Sequence, residues 1–312
     1  MLHTDGPRGK WRHHDSATIM RPNATGAKVS IERVGIVGGG LMGSGIAEVS
    51  AKAGVDVIVH EINAEVAEKA LTRIEKSLGR AVEKGKLDEA GLGEILDRIA
   101  MTTDLEEMTD RQLVVEAVTE NEELKKEIFG RLDDIVTDPD AILASNTSSI
   151  PITRLAAATS RPDHVVGMHF FSPVPVMALM ELVTTVMSDP GVEDRARAFA
   201  EHLGKTVIRA KDRAGFVVNM LLVPYWLSAI RMYEAGIASR EDIDTGMKLG
   251  ANHPMGPLEL ADFVGLDVTK FVADVLFEEY KEPLYSSPPL LTRMVEAGLL
   301  GRKTGQGFYQ YK

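Results

Sequence analysis

The 312-residue sequence contains no cysteine. This absence excludes disulfide bonds, thiolate nucleophiles and zinc sites built from cysteine. Proteins that work in a reducing compartment do not need disulfide bonds, so we expect a cytoplasmic location. Whatever chemistry the chain performs must rely on oxygen and nitrogen side chains or on a bound cofactor.

The sequence also lacks an excess of positive charge. Its 35 lysine and arginine residues are outnumbered by 46 aspartates and glutamates, which gives a formal net charge of −11. This balance argues against a nucleic-acid partner or an anionic membrane surface, so an anionic ligand would need a local group of basic residues. No apolar run approaches the ~20 residues of a membrane-spanning helix, and we predict no membrane partner.

Residues 1–30 have no apolar segment of the kind that a secretory signal requires. They mix glycine, proline, arginine and histidine, and we predict that they form a disordered extension. His13 and His14 lie beside Asp15 in this segment. Two histidines in a flexible tail seldom make a metal site, so we predict no bound metal.

From Arg33 onward, short runs rich in valine and isoleucine alternate with longer amphipathic segments. These runs are RVGIVG, VDVIVH, LVVEAV, AILAS and HVVGMHF. Such alternation is typical of a parallel sheet with crossover helices. We therefore predict an α/β domain over residues 31–213.

A long segment between the second and third of these runs contains two successive helical patterns. Its first helix has one apolar face and one basic face. The apolar positions are Val66, Ala70, Ile74, Leu78 and Ala81, and the basic positions are Arg73, Lys76, Arg80 and Lys84. We predict a helical hairpin that is inserted into the fold and leaves the sheet.

Strand signals fade after KTVIRAKDRAGF, and the remaining chain has helical patterns separated by GANHPMGP and EPLYSSPP. We predict a domain boundary near Arg213 and an all-α C-terminal domain over residues 214–312. Its first segment, GFVVNMLLVPYWLSAI, is apolar on all sides. This predicts burial against the first domain or against a second subunit.

A glycine-rich turn follows the first predicted strand. Gly38, Gly40 and Gly43 have the G-x-G-x-x-G spacing, and Leu41 and Met42 lie between the last two glycines. In this motif the glycines permit a tight turn, close approach of a pyrophosphate and close packing of helix on strand. The helix N-terminus then offers free N–H groups to phosphates. The alternative is an ordinary turn between a strand and a helix.

The second predicted strand ends at Glu61, about twenty residues after the turn, where a carboxylate can accept hydrogen bonds from both ribose hydroxyls. Together these features predict a Rossmann-type domain. Glu61 would repel a 2′-phosphate, which favours NAD over NADP. His60 qualifies this preference, because a protonated imidazole would offset part of the repulsion. The alternative for Glu61 is a surface position without a role.

One histidine, His169, lies within the apolar stretch GMHFFSPVPVMALMEL. A hydroxyl that loses hydride needs a base for its proton, and histidine is suited because its pKa lies near neutral pH. Glu181 follows after a proline turn and could orient the imidazole if two strands pair there. The alternatives are a packed core histidine and a solvent-facing glutamate.

The segment SNTSSI follows the strand AILA, so its polar residues Asn146–Ser149 are expected at the carboxyl edge of the sheet. Open α/β sheets bind ligands at that edge. These residues could orient a substrate oxygen or cap the helix that follows Pro151. We expect both.

Seven segments together resemble the short, single-function L-3-hydroxyacyl-CoA dehydrogenases. They are GGGLMGSGIAEVSA, VVEAVTEN, SNTSSIPIT, HFFSPVPVMALMELV, GFVVNMLLVPY, HPMGPLELADFVGLD and GRKTGQGFYQY. The resemblance runs from about Arg33 to Lys312 and covers both predicted domains. It implies NAD-linked interconversion of a 3-hydroxyacyl-CoA, here 3-hydroxybutyryl-CoA, and the 3-ketoacyl-CoA in fatty acid or butyrate metabolism. It also implies a homodimer with much of its interface in the helical domains.

The same resemblance implies roles for individual residues. His169 is expected to be the catalytic acid and base, with Glu181 as its partner. Ser148 and Asn219 match residues that hydrogen-bond the reacting oxygens. Further matches are the coenzyme A positions Ser77 and Lys84 and the cofactor-side positions Glu120, Lys125 and Lys303. For the basic face of the hairpin, a solvated surface remains the alternative.

The sequence departs from this family at Ser172. The family usually has HFFNPVP, and this chain has HFFSPVP. Serine can replace the hydrogen bond of the asparagine, which helps to hold the nicotinamide, but its side chain is shorter. We therefore expect an effect on nicotinamide placement, turnover or substrate preference.

Two other functions are compatible with this pattern. One is a dinucleotide-sensing or structural protein that has kept the fold and lost activity, since fold alone does not fix function. The presence of His169, Glu181 and Asn219 argues against it. The other is a dehydrogenase of a free hydroxy acid, which would have no use for a coenzyme A site.

Overall fold

The computed structural model describes residues 31–311, so the predictions for residues 1–30 lie outside the described part. The described chain begins with a large sheet region and ends with a helical region. The strands are β1 Arg33–Val37, β2 Asp56–His60, β3 Ile99–Thr102, β4 Leu113–Glu116, β5 Ile142–Ser145, β6 Val165–Phe170, β7 Leu179–Thr184 and β8 Thr206–Lys211.

All eight strands form one sheet in the order β3-β2-β1-β4-β5-β6-β7-β8. Neighbouring strands are parallel except β6 and β7, which pair antiparallel. The strand order reverses beside β1, because β2 and β3 extend to one side of it and β4 to β8 extend to the other. This is the switch point at which open α/β sheets bind ligands, and the predicted parallel α/β fold is confirmed.

Helices connect the parallel strands and build the helical region. In the sheet region they are α1 Leu41–Lys52, α2 Ala64–Glu83, α3 Glu89–Leu96, α4 Glu122–Ile135, α5 Ile152–Ala156 and α6 Pro190–His202. In the helical region they are α7 Val218–Glu234, α8 Arg240–Thr245, α9 Pro257–Val264, α10 Leu266–Tyr280 and α11 Pro289–Glu296. A π-helical turn covers Gly246–Gly250, and short 3₁₀ helices cover Leu105–Met108, Pro162–His164, Pro283–Tyr285 and Arg302–Thr304.

Apolar side chains cover both faces of the sheet, as parallel strands require. Val115 belongs to one apolar cluster, and its neighbour Val114 belongs to another on the opposite face. A third cluster includes Val223, Leu227, Leu258 and Leu276 and lies in the helical region. Within the described residues, no helix is long and apolar enough to cross a membrane.

The hairpin of α2 and α3 confirms the predicted helical insertion, but α2 does not leave the sheet. Ile74 and Leu78 are buried in the same apolar cluster as strand residues of β1 and β2. Ala67 is buried in place of Val66, which is only half-buried. The helix therefore covers the sheet along most of its length because its apolar face needs a partner.

The sequence patterns missed one strand. β3, Ile99–Thr102, has only four residues and pairs only with β2 at the edge of the sheet. Its apolar run, residues 99–101, is short and none of these residues is fully buried, so the strand has only a weak apolar signal. The strand predicted to be third is β4.

Candidate active site

The glycine-rich turn joins β1 to α1 in the predicted way. Gly38 has φ +96°, a backbone conformation that only glycine adopts without strain. A Cβ on Gly43 would lie 1.8 Å from the carbonyl oxygen of Gly38, whereas a Cβ on Gly40 would meet nothing within 4 Å. Gly43 thus allows helix and turn to pack closely, and the space at Gly40 fits the pyrophosphate of a dinucleotide.

The peptide groups around Gly39 fix the shape of this turn. The Gly39 N–H donates to Oε1 of Glu61 at 2.6 Å, and its carbonyl oxygen accepts from Ser44 Oγ at 2.6 Å and Arg73 Nη1 at 2.7 Å. Glu61 is buried at the end of β2 and is held by this contact. Its carboxylate is therefore placed beside the turn, where the sequence predicts a ribose.

Leu41 and Met42 occupy the first turn of α1. Leu41 is exposed, with 64% of its surface accessible, and Met42 packs against the apolar cluster of the sheet. Their backbone groups start the helix without a side-chain cap. The N–H groups at this end are thus available to a phosphate.

His60 does not carry the charge that would attract a 2′-phosphate. Burial lowers its pKa below the ordinary value of 6.5, and Arg131 acts in the same direction, although Glu61 opposes them. The lowered pKa favours the neutral imidazole at pH 7 and above. A neutral ring does not offset the repulsion by Glu61.

His169 and Glu181 face each other across the antiparallel pair of β6 and β7. The strand register pairs the two residues directly, and His169 Nδ1 lies 2.7 Å from Glu181 Oε2. His169 is 7% exposed and Glu181 is fully buried. Since a carboxylate only accepts hydrogen bonds, Nδ1 carries the proton and Nε2 has the free lone pair of a base.

The second oxygen of Glu181 reaches the helical region. Glu181 Oε1 accepts hydrogen bonds from the N–H groups of Val217 at 3.0 Å and Val218 at 2.9 Å. These groups lie at the N-terminus of α7, two residues and one residue before Asn219. The contact thus places Asn219, which is half-buried, close to the end of the helix that Glu181 holds.

Aromatic rings enclose the imidazole of His169. The ring of Phe171 lies 4.6 Å away and the ring of Phe216 lies 5.5 Å away, measured between centroids. The backbone N–H of Phe170 donates to Asn146 Oδ1 at 2.9 Å. Asn146 therefore ties the end of β6 to the segment that follows β5.

Glu120 organises the SNTSSI segment at the carboxyl edge of the sheet. Its carboxylate accepts from Thr147 Oγ1, from Ser149 Oγ at 2.9 Å and from the backbone N–H of Ser148 at 3.1 Å. Burial would raise the pKa of Glu120, but Lys125 and the two hydroxyls outweigh it, so the pKa is lowered. Glu120 thus holds Ser148 through its backbone N–H group and not through its hydroxyl group.

Comparisons with known proteins agree with this geometry. Residues 33–213 match the model of the 3-hydroxyacyl-CoA dehydrogenase NAD-binding domain, and residues 215–311 match the model of the C-terminal domain of the same enzymes. The chain belongs to the 3-hydroxyacyl-CoA dehydrogenase family. The predicted resemblance and the predicted NAD cofactor are therefore confirmed, and the protein is an NAD-dependent dehydrogenase of this family.

The similarity to individual relatives extends over nearly the whole chain. A 3-hydroxybutyryl-CoA dehydrogenase of Mycobacterium tuberculosis is 58% identical over 283 residues, which are 90% of this chain and 99% of that protein. The human mitochondrial hydroxyacyl-coenzyme A dehydrogenase is 44% identical over 93% of this chain and 94% of its own. The crystal structure of M. tuberculosis FadB2 is 58% identical, has a TM-score of 0.89 and covers 90% of this chain and 99% of its own.

Lys125 lies deeper in this dehydrogenase than a direct cofactor contact would require. Only 1% of its side chain is exposed, and its Nζ lies 2.6 Å from Glu116 Oε1 and 3.3 Å from Glu120 Oε2. Glu116 also accepts from Ser145 Oγ at 2.6 Å through its other oxygen. Glu116 therefore joins the ends of β4 and β5, and Lys125 links Glu116 to Glu120.

Among the described residues, the remaining predicted positions form no hydrogen bond with the imidazole. Ser172 is exposed three residues after His169, while Ser77 is half-buried and Lys84 is exposed on α2 and at its end. Lys303 pairs with Asp267 at 2.5 Å in the helical region. The contacts of the described residues therefore bring together His169, Glu181 and the start of α7, and they leave the roles of these four positions as proposals.

Sequence reasoning missed Glu116 and Ser145 and assigned Arg73 to a different surface. Arg73 was grouped with the basic face of the hairpin, but it donates to the carbonyl oxygen of Gly39. Glu116 could have been noticed, because it is an acid at the end of an otherwise apolar strand. Within residues 31–311 no group of three or more histidine, aspartate or glutamate side chains is placed to hold a metal ion.

Proposed function

We propose that this dehydrogenase interconverts L-3-hydroxybutyryl-CoA and acetoacetyl-CoA, with His169 as the acid and base. The observation that carries the proposal is the contact of 2.7 Å between His169 Nδ1 and buried Glu181. This contact leaves Nε2 as the proton acceptor, beside the carboxyl edge of the sheet. The relatives named 3-hydroxybutyryl-CoA dehydrogenase support the substrate.

In the oxidation, Nε2 of His169 takes the proton of the 3-hydroxyl group. When bound, NAD supplies the acceptor for the hydrogen that leaves C3 with its electron pair, so that a C3 carbonyl forms. The imidazolium that results is stabilised by Glu181, whose position is fixed by two backbone N–H groups. In the reduction, His169 returns the proton to the carbonyl oxygen.

Ser148 and Asn219 are proposed to hydrogen-bond the reacting oxygen. They belong to different regions of the fold, because Ser148 follows β5 and Asn219 lies at the start of α7. Both residues are half-buried and therefore accessible to a ligand. Ligand pockets often lie at such a meeting of two regions.

We also propose that α2 binds the coenzyme A portion through Ser77 and Lys84. The support is the exposure of Lys84 at the C-terminal end of a helix whose outer face also carries Lys76 and Arg80. A local basic surface on a chain of net charge −11 provides the positive charge that phosphates require. On the cofactor side, Ser172 is proposed to lie at the nicotinamide end and Glu120 and Lys303 are proposed to face the cofactor, with Lys125 supporting Glu120.

We further propose that the protein is a homodimer and that it works in the cytoplasm. Exposed apolar side chains in the helical region support a second copy as partner, since such patches mark interfaces. These residues are Leu221, Phe263, Val268 and Phe271, which are 41% to 72% exposed. The lack of cysteine supports the location.

The experiment is NADH oxidation with acetoacetyl-CoA, with longer 3-ketoacyl-CoA esters and with free acetoacetate. We expect the highest kcat/KM with acetoacetyl-CoA and a far lower value with acetoacetate, because only the ester engages α2. Equal efficiency with both would contradict the coenzyme A assignment and favour a hydroxy-acid dehydrogenase. No turnover of any of them, with intact NADH binding, would favour a sensing protein.

A further inference from the structure

Lys205 is a buried lysine outside the residues assigned above. It precedes β8, is 8% exposed, and its Nζ donates to the carbonyl oxygens of Val174 at 2.6 Å and Met177 at 2.8 Å. Burial lowers its pKa below 10.5, while the carboxylate of Glu48 attracts the ammonium group. A buried ammonium is costly unless it is paired or hydrogen-bonded. Here the ammonium group of Lys205 donates both hydrogen bonds to carbonyl oxygens of one short segment.

That segment, residues 171–178, joins the two strands that carry the imidazole and its carboxylate. We call it the proline segment. It begins with Phe171, whose ring contacts His169, and continues with Ser172. A shift of the segment would therefore change the surroundings of the imidazole and the position of Ser172 together.

The proline segment also packs against the helix of the glycine-rich turn. A Cβ on Gly45 of α1 would lie 2.8 Å from Cβ of Val174 and 3.5 Å from Cδ of Pro175. Val174 is 2% exposed. The segment is thus held by the packing of Val174 and Pro175 on α1 and by the two hydrogen bonds from Lys205.

We propose that Lys205 is a positioning residue that fixes the proline segment between β8 and α1, so that Ser172 and Phe171 are correctly placed around the reacting centre. Lysine suits this position because one ammonium group can donate to two backbone carbonyls at once. This inference rests on the proposed function, since it assigns Ser172 and His169 to the reacting centre. Lys205 itself contacts neither of them.

The test compares Lys205→Met with Lys52→Met in the full-length protein. Lys52 is the matched control, because it pairs with Glu48 and donates to no carbonyl of the proline segment. We expect Lys205→Met to lower kcat about 10- to 100-fold, since small misplacements near reacting atoms have effects of this size. The KM for acetoacetyl-CoA should stay within about twofold, because α2 is unchanged. Lys52→Met should retain the wild-type kcat.

A second readout does not depend on activity. Hydrogen–deuterium exchange of the cofactor-free protein should be faster in residues 171–178 of Lys205→Met than in wild type, with Lys52→Met unchanged. Wild-type kcat and exchange in folded Lys205→Met would overturn the inference, even if its thermal stability were lower. If Lys205→Met does not fold, Gly45→Ala tests the packing of the segment on α1. This variant should lower kcat in the same way, and a wild-type kcat would contradict the inference. Failure of the proposed function would show instead in the wild-type protein, as absence of acetoacetyl-CoA turnover.

Discussion

One carboxylate, Glu181, holds the imidazole of His169 with one oxygen and the start of α7 with the other. The distances are 2.7 Å to His169 Nδ1, 3.0 Å to the N–H of Val217 and 2.9 Å to the N–H of Val218. Glu181 thus connects the sheet, which carries the proposed base His169, to the helix that carries Asn219. Its replacement should affect both catalysis and the attachment of the helical region.

Glu181→Gln should lower kcat by roughly 10²- to 10⁴-fold and the free energy of unfolding by about 1–3 kcal/mol. The two oxygens of Glu181 accept three hydrogen bonds, whereas glutamine has only one acceptor oxygen. Its neutral amide also does not stabilise an imidazolium. The control is Glu65→Gln, since Glu65 forms an exposed ion pair with Lys69. Turnover with acetoacetyl-CoA and urea unfolding check both effects. An equal loss of turnover and stability in Glu181→Gln and Glu65→Gln would contradict the account.

Gly40→Ala and Gly43→Ala form a matched pair in the glycine-rich turn. Alanine at Gly43 would place Cβ 1.8 Å from the Gly38 carbonyl oxygen, so we expect a loss of about 1–3 kcal/mol in unfolding free energy. Alanine at Gly40 has open space and φ −61°, so stability should be unchanged. Its methyl group would occupy the space of the pyrophosphate, and NADH affinity should fall about 10- to 100-fold. Thermal unfolding measures the loss of stability, and NADH titration measures the loss of affinity. Unchanged NADH affinity in Gly40→Ala would contradict the placement of the pyrophosphate beside Gly40.

The preference for NADH over NADPH should not change between pH 8.5 and 7. The lowered pKa of His60 means that the ring is protonated only at pH values below its ordinary 6.5, so falling pH does not add a positive charge beside Glu61 in this range. The ratio of kcat/KM for the two cofactors, measured in wild type and His60→Gln, should be the same. A ratio that rises for NADPH toward pH 7 in wild type alone would show that His60 is charged.

Ser172→Asn should lower the KM for NADH or raise kcat by a few-fold. Ser172 is exposed after β6, and the longer amide can reach farther toward the nicotinamide than a hydroxyl group. The comparison is Ser172→Ala, which removes the hydroxyl and should be less active than wild type. Identical kinetics for all three proteins would show that position 172 does not contact the cofactor.

Much of the sheet could be predicted because strands buried on both faces are continuous apolar runs, such as β4 and β5. The pairing of His169 with Glu181 could also be predicted, since a proline turn between two strands allows the observed register. Strand β3 could not be predicted, because a short edge strand is only partly buried and its apolar run, residues 99–101, is short.

Long-range polar contacts of the site could not be predicted from local patterns. Arg73 lies on a helix face whose neighbours are exposed, yet it contacts Gly39, 34 residues away. Lys205 and Val174 are separated by 31 residues, and their contact depends on how β7 and β8 pair. Such contacts depend on tertiary packing, for which spacing along the chain gives no signal.

The central claim is that His169 moves the substrate proton, and His169→Gln tests it most directly. The variant should reduce acetoacetyl-CoA with a kcat about 10²- to 10⁴-fold below wild type, because no other group replaces Nε2. Its affinity for NADH should be unchanged, since the glycine-rich turn and Glu61 are intact. A folded His169→Gln protein with wild-type turnover would contradict the account.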